Sequence, residues 1–318
     1  MTSNRSSFPG RSSRSTALLA PTLLVVACLS IIGCASNTNV SRRSVTRAGP
    51  QGGHLVLIGG GKKPADVVEL FVKLAVAHGP YLVVLPVASE DPEAAGADYV
   101  DLFSAHGARD VRVVHIRDRR DAHRQAYVDT IRGAGGVFFT GGDQKRIGAW
   151  LVDTPVMDAI RAMKNAGGVV GGTSAGTACQ SAVMLTGDAG DESVVRAGNI
   201  PTAQGTGLFE GVIVDQHFLA RRRHNRLITA ILEHPGNIGV GIDEGTAVWV
   251  KPDSTFRVLG ESSVFVYDPS SAEVSVDAAG RISVSGMRTD VLVAGQAYDL
   301  KGRRRLGRGG SAPGATGP

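Results

Sequence analysis

Residues 54–58 (His-Leu-Val-Leu-Ile) are a short unbroken apolar run that stops at three glycines, 59–61. Apolar residues without alternation, closed by a turn signal, predict a strand buried on both faces. The next stretch, 64–78, changes period: Val67, Leu70, Phe71, Leu74 and Val76 supply the apolar side of an amphipathic helix. The two patterns then alternate. Strands are predicted at 81–87, 111–116, 136–139 and 168–171, with helices within 93–106 and at 122–131 and 156–165. Apolar strands separated by helices of 10 to 15 residues imply parallel pairing through right-handed crossovers. The predicted fold is α/β, a doubly wound, mostly parallel sheet with helices on both faces. Past residue 245 the spacing tightens: 247–251, 255–259, 264–267, 282–284 and 291–294 read as short strands, antiparallel additions to the same domain.

Composition agrees. The chain has 318 residues, 42% hydrophobic and 20% charged, with 42 glycines. It can bury a large core, which excludes a disordered chain and a disulfide-stapled mini-domain. The net charge of +5 suggests nucleic acid until it is divided along the chain. Eleven of the 34 basic residues lie in 1–53 and 301–318, where there is no acid. The body, 54–300, keeps 23 basic against 29 acidic residues, a net charge of −6. A nucleic-acid surface would concentrate cations on the folded body, so no nucleic-acid partner is expected.

The basic start has a further meaning. Arg5, Arg11 and Arg14 precede an apolar stretch, 17–32, ending in Ile31-Ile32-Gly33-Cys34. The arrangement reads as an export signal over 1–33, too short for a comfortable membrane span. Its last residues have the form of a bacterial lipobox, in which Cys34 receives the lipid and becomes the new N-terminus. The expected location is therefore outside the cytoplasm, periplasmic or at the cell surface, on a membrane through a lipid anchor. Residues 34–53 read as a flexible tether, 54–300 as the folded domain and 301–318 as a disordered basic tail. Cys28 leaves with the signal and Cys34 is lipidated, so Cys179 is left alone and no disulfide can form within the chain.

Chemistry gathers at predicted strand ends. Gly172-Thr173-Ser174-Ala175-Gly176 has the Gly-x-Ser-x-Gly form directly after a buried strand and before a helical stretch. In that setting the chain turns sharply and lifts the Ser174 hydroxyl into a cleft, with free helix N–H groups beside it. The structural alternative is a glycine turn whose serine caps the helix. Of the eight histidines, His217 follows an apolar strand (212–215) and emerges at the sheet edge where Ser174 belongs. His224 and His234 fall on the following helix and read as surface residues. Asp243 and Glu244 end another apolar run, and alternation lets only one of them face the histidine easily. The chain order serine, histidine, acid differs from that of α/β-hydrolases. Arg221, Arg223 and Arg226 follow His217 either as a solvated helix face or as bidentate holders of substrate carboxylates. Metal motifs are lacking, and Gly59-Gly60-Gly61-Lys62 reads as a tight turn near the active edge.

Four segments together resemble the cyanophycinases of the peptidase E family of serine peptidases: 140–144 (Thr-Gly-Gly-Asp-Gln), 171–176, 215–218 with the three arginines, and 241–244. The likeness spans roughly residues 54–270. It implies a flavodoxin-like sheet of the class I glutamine-amidotransferase type and a catalytic triad of Ser174, His217 and Glu244. The N–H groups of Gly142 and Ala175 would form the oxyanion hole. Gln144, Asp215, Gln216, Arg221, Arg223 and Arg226 would hold a β-aspartyl-arginine unit. The implied reaction is exopeptidase release of β-Asp-Arg dipeptides from cyanophycin through an acyl-enzyme, without metal or organic cofactor, and homodimerisation is expected from the resemblance alone. Two alternatives stand beside it: a related peptidase or isopeptidase on other aspartyl peptides, and a non-catalytic polymer-binding lipoprotein. An esterase using Asp215 and His234 is a further, poorer fit.

Overall fold

A computed structural model of the chain describes residues 52–307 except Ala189 and Asp191. The expected export signal and the lipidation site Cys34 lie outside the described residues, as does all of the expected tether but Gly52 and Gly53. The chain opens with β1 (His54–Ile58), α1 (Ala65–His78), β2 (Leu82–Leu85), α2 (Pro92–Ala105) and β3 (Val111–Val113). A short 3-10 turn (Asp121–His123) leads to α3 (Gln125–Arg132), β4 (Gly136–Phe139), α4 (Gln144–Leu151) and α5 (Pro155–Asn165). Next come β5 (Val169–Thr173), α6 (Ala175–Ala178), β6 (Val183–Leu185) and β7 (Thr202–Gln204). β8 (Val212–Asp215), α7 (His224–Glu233) and β9 (Ile238–Ile242) follow. The remainder is all strand: β10 (Thr246–Val250), β11 (Thr255–Gly260), β12 (Ser263–Asp268), β13 (Glu273–Val276) and β14 (Ile282–Ser285), then β15 (Arg288–Val293), β16 (Ala297–Asp299) and β17 (Arg304–Leu306).

The main sheet has nine strands in the order β17-β16-β11-β10-β1-β5-β4-β2-β3. β1, β5, β4, β2 and β3 pair in parallel, and β10, β11, β16 and β17 extend the sheet antiparallel. The apolar runs explain the central strands. In β1, Leu55 and Leu57 pack on one face with α3 and α5, while Val56 and Ile58 pack on the other with α1 and α2. Both faces are dry, so an uninterrupted apolar run satisfies them. Phe71, Tyr99, Phe103 and Phe138 lock α1 and α2 to the sheet, with ring centroids 5.0 to 5.7 Å apart. Asp91 caps α2 and Thr154 caps α5, each followed by proline at the first helical position, where no donor is lost.

The late strands are antiparallel additions to the domain, as expected, and they divide among three sheets. β12 and β15 join β8 and β9 in a separate four-stranded sheet, order β15-β12-β9-β8, packed into the core on the α3/α5 face. β13 and β14 form a hairpin of their own. The tail does not begin at 301: β17 pairs with β16, Leu306 is buried, and Arg303 reaches the buried Asp268 at 2.8 Å. Residues 308–318 lie outside the described part. The helix α4 is an element the sequence pattern did not predict; Asp143 caps it by accepting the Lys145 N–H at 2.9 Å.

Candidate active site

The carboxyl ends of β5, β4 and β1 converge on one point. β5 runs straight into Ser174, which adopts φ 51° and ψ −113°, a region that costs a non-glycine residue energy. The flanking glycines make the turn feasible. A Cβ on Gly172 would lie 2.5 Å from the Gly176 carbonyl carbon, and one on Gly176 would lie 2.7 Å from that of Phe139. The Ser174 N–H donates to the Ile58 carbonyl at 3.1 Å, and the Thr177 hydroxyl lies 2.7 Å from that same oxygen and 2.9 Å from the Gly172 carbonyl. The elbow is thus tied to β1 as well as β5. Ala175 is the first residue of α6, so its N–H has no acceptor inside the helix. Gly141, just past the end of β4, lies beside the serine: a Cβ on Gly141 would be 3.6 Å from that of Ser174.

His217 comes from the other sheet. It follows β8 by one residue, takes φ 48°, and its N–H donates to the Gly59 carbonyl at 2.7 Å. Its Nε2 lies 2.9 Å from Ser174 Oγ, and its Nδ1 bonds Glu244 Oε1. The choice between the two acids at the end of β9 is therefore geometric. Asp243 faces the opposite way, accepting the N–H groups of Leu219 (3.0 Å) and Ala220 (3.1 Å) and the Ser262 hydroxyl at 2.7 Å. Burial pushes the His217 imidazole below its ordinary 6.5; Glu244 opposes this and Arg221 adds to it. The neutral ring that a general base requires is favoured.

The glycines at 59–61, expected as a tight turn near the active edge, lie there and form the floor of this arrangement. A Cβ on Gly60 would lie 2.5 Å from His217 Nε2, and one on Gly61 would lie 3.0 Å from Glu244 Oε2. The triple glycine was the one available signal for this role.

The expected substrate-holding residues do not all face the serine. Gln216 does: Ser174 Oγ is 3.4 Å from its Oε1. Arg221 is exposed beside His217. Gln144 is buried and donates to the Leu185 carbonyl at 3.0 Å. Asp215 and Arg226 are 0% and 3% exposed and bind one another bidentately through Nε and Nη2 of the guanidinium, with Arg226 Nε 2.7 Å from Asp215 Oδ2. Arg226 also reaches Glu192 at 3.2 Å, and Arg223 donates to the Gln216 carbonyl at 2.7 Å. These groups brace the turn that carries His217. Asp215 is the carboxylate they share, 3.7 Å from Arg223 Nη1, so the three side chains are held to one another and to the chain. His224, expected at the surface, is half-buried against Phe218 and bonds the Tyr267 hydroxyl at 2.6 Å. Cys179 is fully buried, and burial pushes its thiol up, away from nucleophilic thiolate.

A serine on a strained elbow, an imidazole at hydrogen-bond distance and a carboxylate behind it are the parts of a serine-type hydrolase on an α/β scaffold. The chain matches Peptidase family S51 over residues 55–258 and belongs to that family of serine-type peptidases. It is 35% identical over 260 residues to a cyanophycinase of Nostoc sp. (strain PCC 7120 / SAG 25.82 / UTEX 2576), covering 79% of this chain and 87% of that one. A cyanophycinase of Geminocystis herdmanii (strain PCC 6308) is 34% identical over 255 residues, covering 78% and 93%. Among solved structures, a peptidase from an acI-B1 Actinobacterium superposes with a TM-score of 0.60 at 22% identity, over 79% of this chain and 99% of that one, a likeness of fold.

Proposed function

We propose that this protein is an exported, lipid-anchored serine exopeptidase that hydrolyses cyanophycin to β-Asp-Arg dipeptides. The observation that carries the chemistry is the 2.9 Å approach of His217 Nε2 to Ser174 Oγ, with Glu244 on the far ring nitrogen. The substrate rests on the relatives named cyanophycinase. Ser174 attacks the carbonyl carbon of the scissile bond as His217 takes its proton, and the oxyanion is met by the N–H groups of Gly142 and Ala175. His217 then gives the proton to the leaving amine. Glu244 holds the ring in the tautomer with Nδ1–H and offsets the imidazolium charge. Water resolves the acyl-enzyme by the same path in reverse. The lipid anchor rests on the lipobox and Cys34.

The test is incubation with insoluble cyanophycin beside the Ser174→Ala variant, with soluble products identified by mass. Release of β-Asp-Arg by the wild type alone supports substrate and nucleophile together. A folded wild type that releases nothing overturns the substrate and directs attention to other aspartyl peptides. Cys34→Ala is expected to move the protein from the membrane to the soluble fraction; unchanged fractionation would overturn the anchor.

A further inference from the structure

The strand order β5-β4-β2-β3 leads away from Ser174 along the carboxyl edge to a second feature. Beyond β3 lies an open cleft of about 470 Å³ lined by His115, Arg117, Asp118, Arg120, Arg124 and Tyr127, with Asp121 at its base. The rim between the two is continuous. The Asp143 N–H, next to Gly142, donates to the Ala88 carbonyl at 2.8 Å, and Arg146 donates to the Ser89 carbonyl at 2.8 Å. Asp91 then caps α2, whose first-turn Glu93 binds Arg117 at the cleft mouth.

The cleft is built from both signs of charge, held at fixed positions. Asp121 accepts the Arg117 N–H at 2.9 Å and pairs with Arg124 at 2.8 Å; Asp118 accepts the Arg120 N–H at 2.8 Å. Arg117 gives one terminal nitrogen to Glu93 and Arg124 gives one to Asp121, leaving guanidinium donors toward solvent; their side chains are 69% and 62% exposed. Asp118 is 39% exposed and already accepts from the Arg120 guanidinium, with Nε at 3.0 Å, so a ligand guanidinium would share that carboxylate with Arg120. A surface of this kind suits a ligand that carries carboxylate and guanidinium together, since each new contact is charge-assisted and no lone charge is buried.

We propose that this cleft is a distal polymer subsite, which takes the free carboxylate and guanidinium of a β-Asp-Arg unit while another unit is cleaved at Ser174. The occupant follows from the proposed substrate, cyanophycin, in which every repeat exposes one group of each sign. Adjacent strands are about 4.8 Å apart, so three spacings put the cleft roughly 14 Å from the serine, about four extended residues. Counting backbone alone, one or two repeats fall short of that distance and a chain of five or more covers it.

The test compares the full-length wild type with Arg117→Gln/Arg124→Gln on long cyanophycin and on a two-repeat (β-Asp-Arg) oligomer. The expected result is a fall of about tenfold in kcat/KM on the polymer, with less than about twofold change on the short oligomer. The oligomer rate also reports that the variant is folded. Equal loss on both substrates, or no loss on either, overturns the subsite. Co-sedimentation of the Ser174→Ala protein with insoluble polymer separates this inference from the substrate assignment. Sedimentation that depends on Arg117 and Arg124 supports the cleft even if the wild type cleaves nothing. Sedimentation indifferent to them overturns the cleft even if cleavage is observed.

Discussion

Gly60 and His217 occupy each other's space: a Cβ on Gly60 would stand 2.5 Å from His217 Nε2 and 2.8 Å from Nδ1. The ring reaches Ser174 because residue 60 has no side chain, and φ +117° at Gly60 excludes one on backbone grounds as well. Gly60→Ala is therefore expected to displace the base from the serine. We expect kcat to fall by about 10²-fold or more, the contribution of a general base, with a retained far-UV spectrum. Labelling of Ser174 by a fluorophosphonate probe should slow in parallel.

The adjacent acids at the end of β9 should separate cleanly. Glu244→Gln keeps the shape but can present a donor to Nδ1, stabilising the wrong tautomer, and should lower kcat by about 10³ to 10⁴ with little change in thermal stability. Asp243→Asn should do the reverse, because Asp243 holds the Leu219 and Ala220 N–H groups and Ser262. Melting temperature and kcat measured on both variants check this pairing of effects.

Asp243 also gives a pH expectation. Burial would raise its pKa, but the hydrogen bonds from Ser262, Ala220 and Leu219 outweigh that and hold it below the ordinary 3.8. A carboxylate lowered on folding stabilises the protein above its unfolded pKa, and that contribution is lost as pH falls through the folded value. The wild-type advantage over Asp243→Asn should therefore be full near neutrality and shrink toward pH 3, as followed by thermal melts.

His217 titrates below 6.5 because of burial, with Arg221 lowering it further and Glu244 opposing. The acid limb of the kcat/KM profile should lie below that value. Removing the Arg221 charge removes a repulsion on the imidazolium, so Arg221→Ala should move the limb to higher pH. Added salt should shrink the difference, since Arg221 is exposed. A limb that stays put in Arg221→Ala at low salt would sink this account of the ring.

Arg226 distinguishes a brace from a substrate holder. Its partner Asp215 is fully buried, so Arg226→Ala should strand that carboxylate and destabilise by about 3 to 5 kcal/mol. Arg221→Ala should leave the melting temperature nearly unchanged. If Arg226→Ala instead raised KM at unchanged stability, Arg226 would be holding substrate.

Removal of residues 303–318 should lower the melting temperature, because β17, buried Leu306 and the Arg303–Asp268 pair go with it.

Much of this was legible in one dimension. The unbroken apolar runs of β1, β2, β4 and β5 and the periodicity of α1 and α5 depend on local burial, which residue order records directly. The Gly-x-Ser-x-Gly elbow could be read because its backbone conformation is set by residues adjacent in sequence. The short strands β6, β7, β16 and β17 could not, since their pairing partners, and not their periods, define them.

Residue order by itself determined the alternating architecture, the position of Ser174 at a strand end, and the presence of a histidine and two acids after later strands. Tertiary structure decided the rest: that His217 and Glu244 arrive from a second sheet, and that Asp243 turns away to clamp a loop. It also drew Asp215, Arg223 and Arg226 into one buried ion-pair cluster, and gave a turn of glycines the task of making room for the imidazole. The physical reason is the same in each case. An ionisable side chain finds its partner through contacts distant in the chain, and the same arginine is a substrate holder or a brace according to whether a carboxylate meets it in a dry interior.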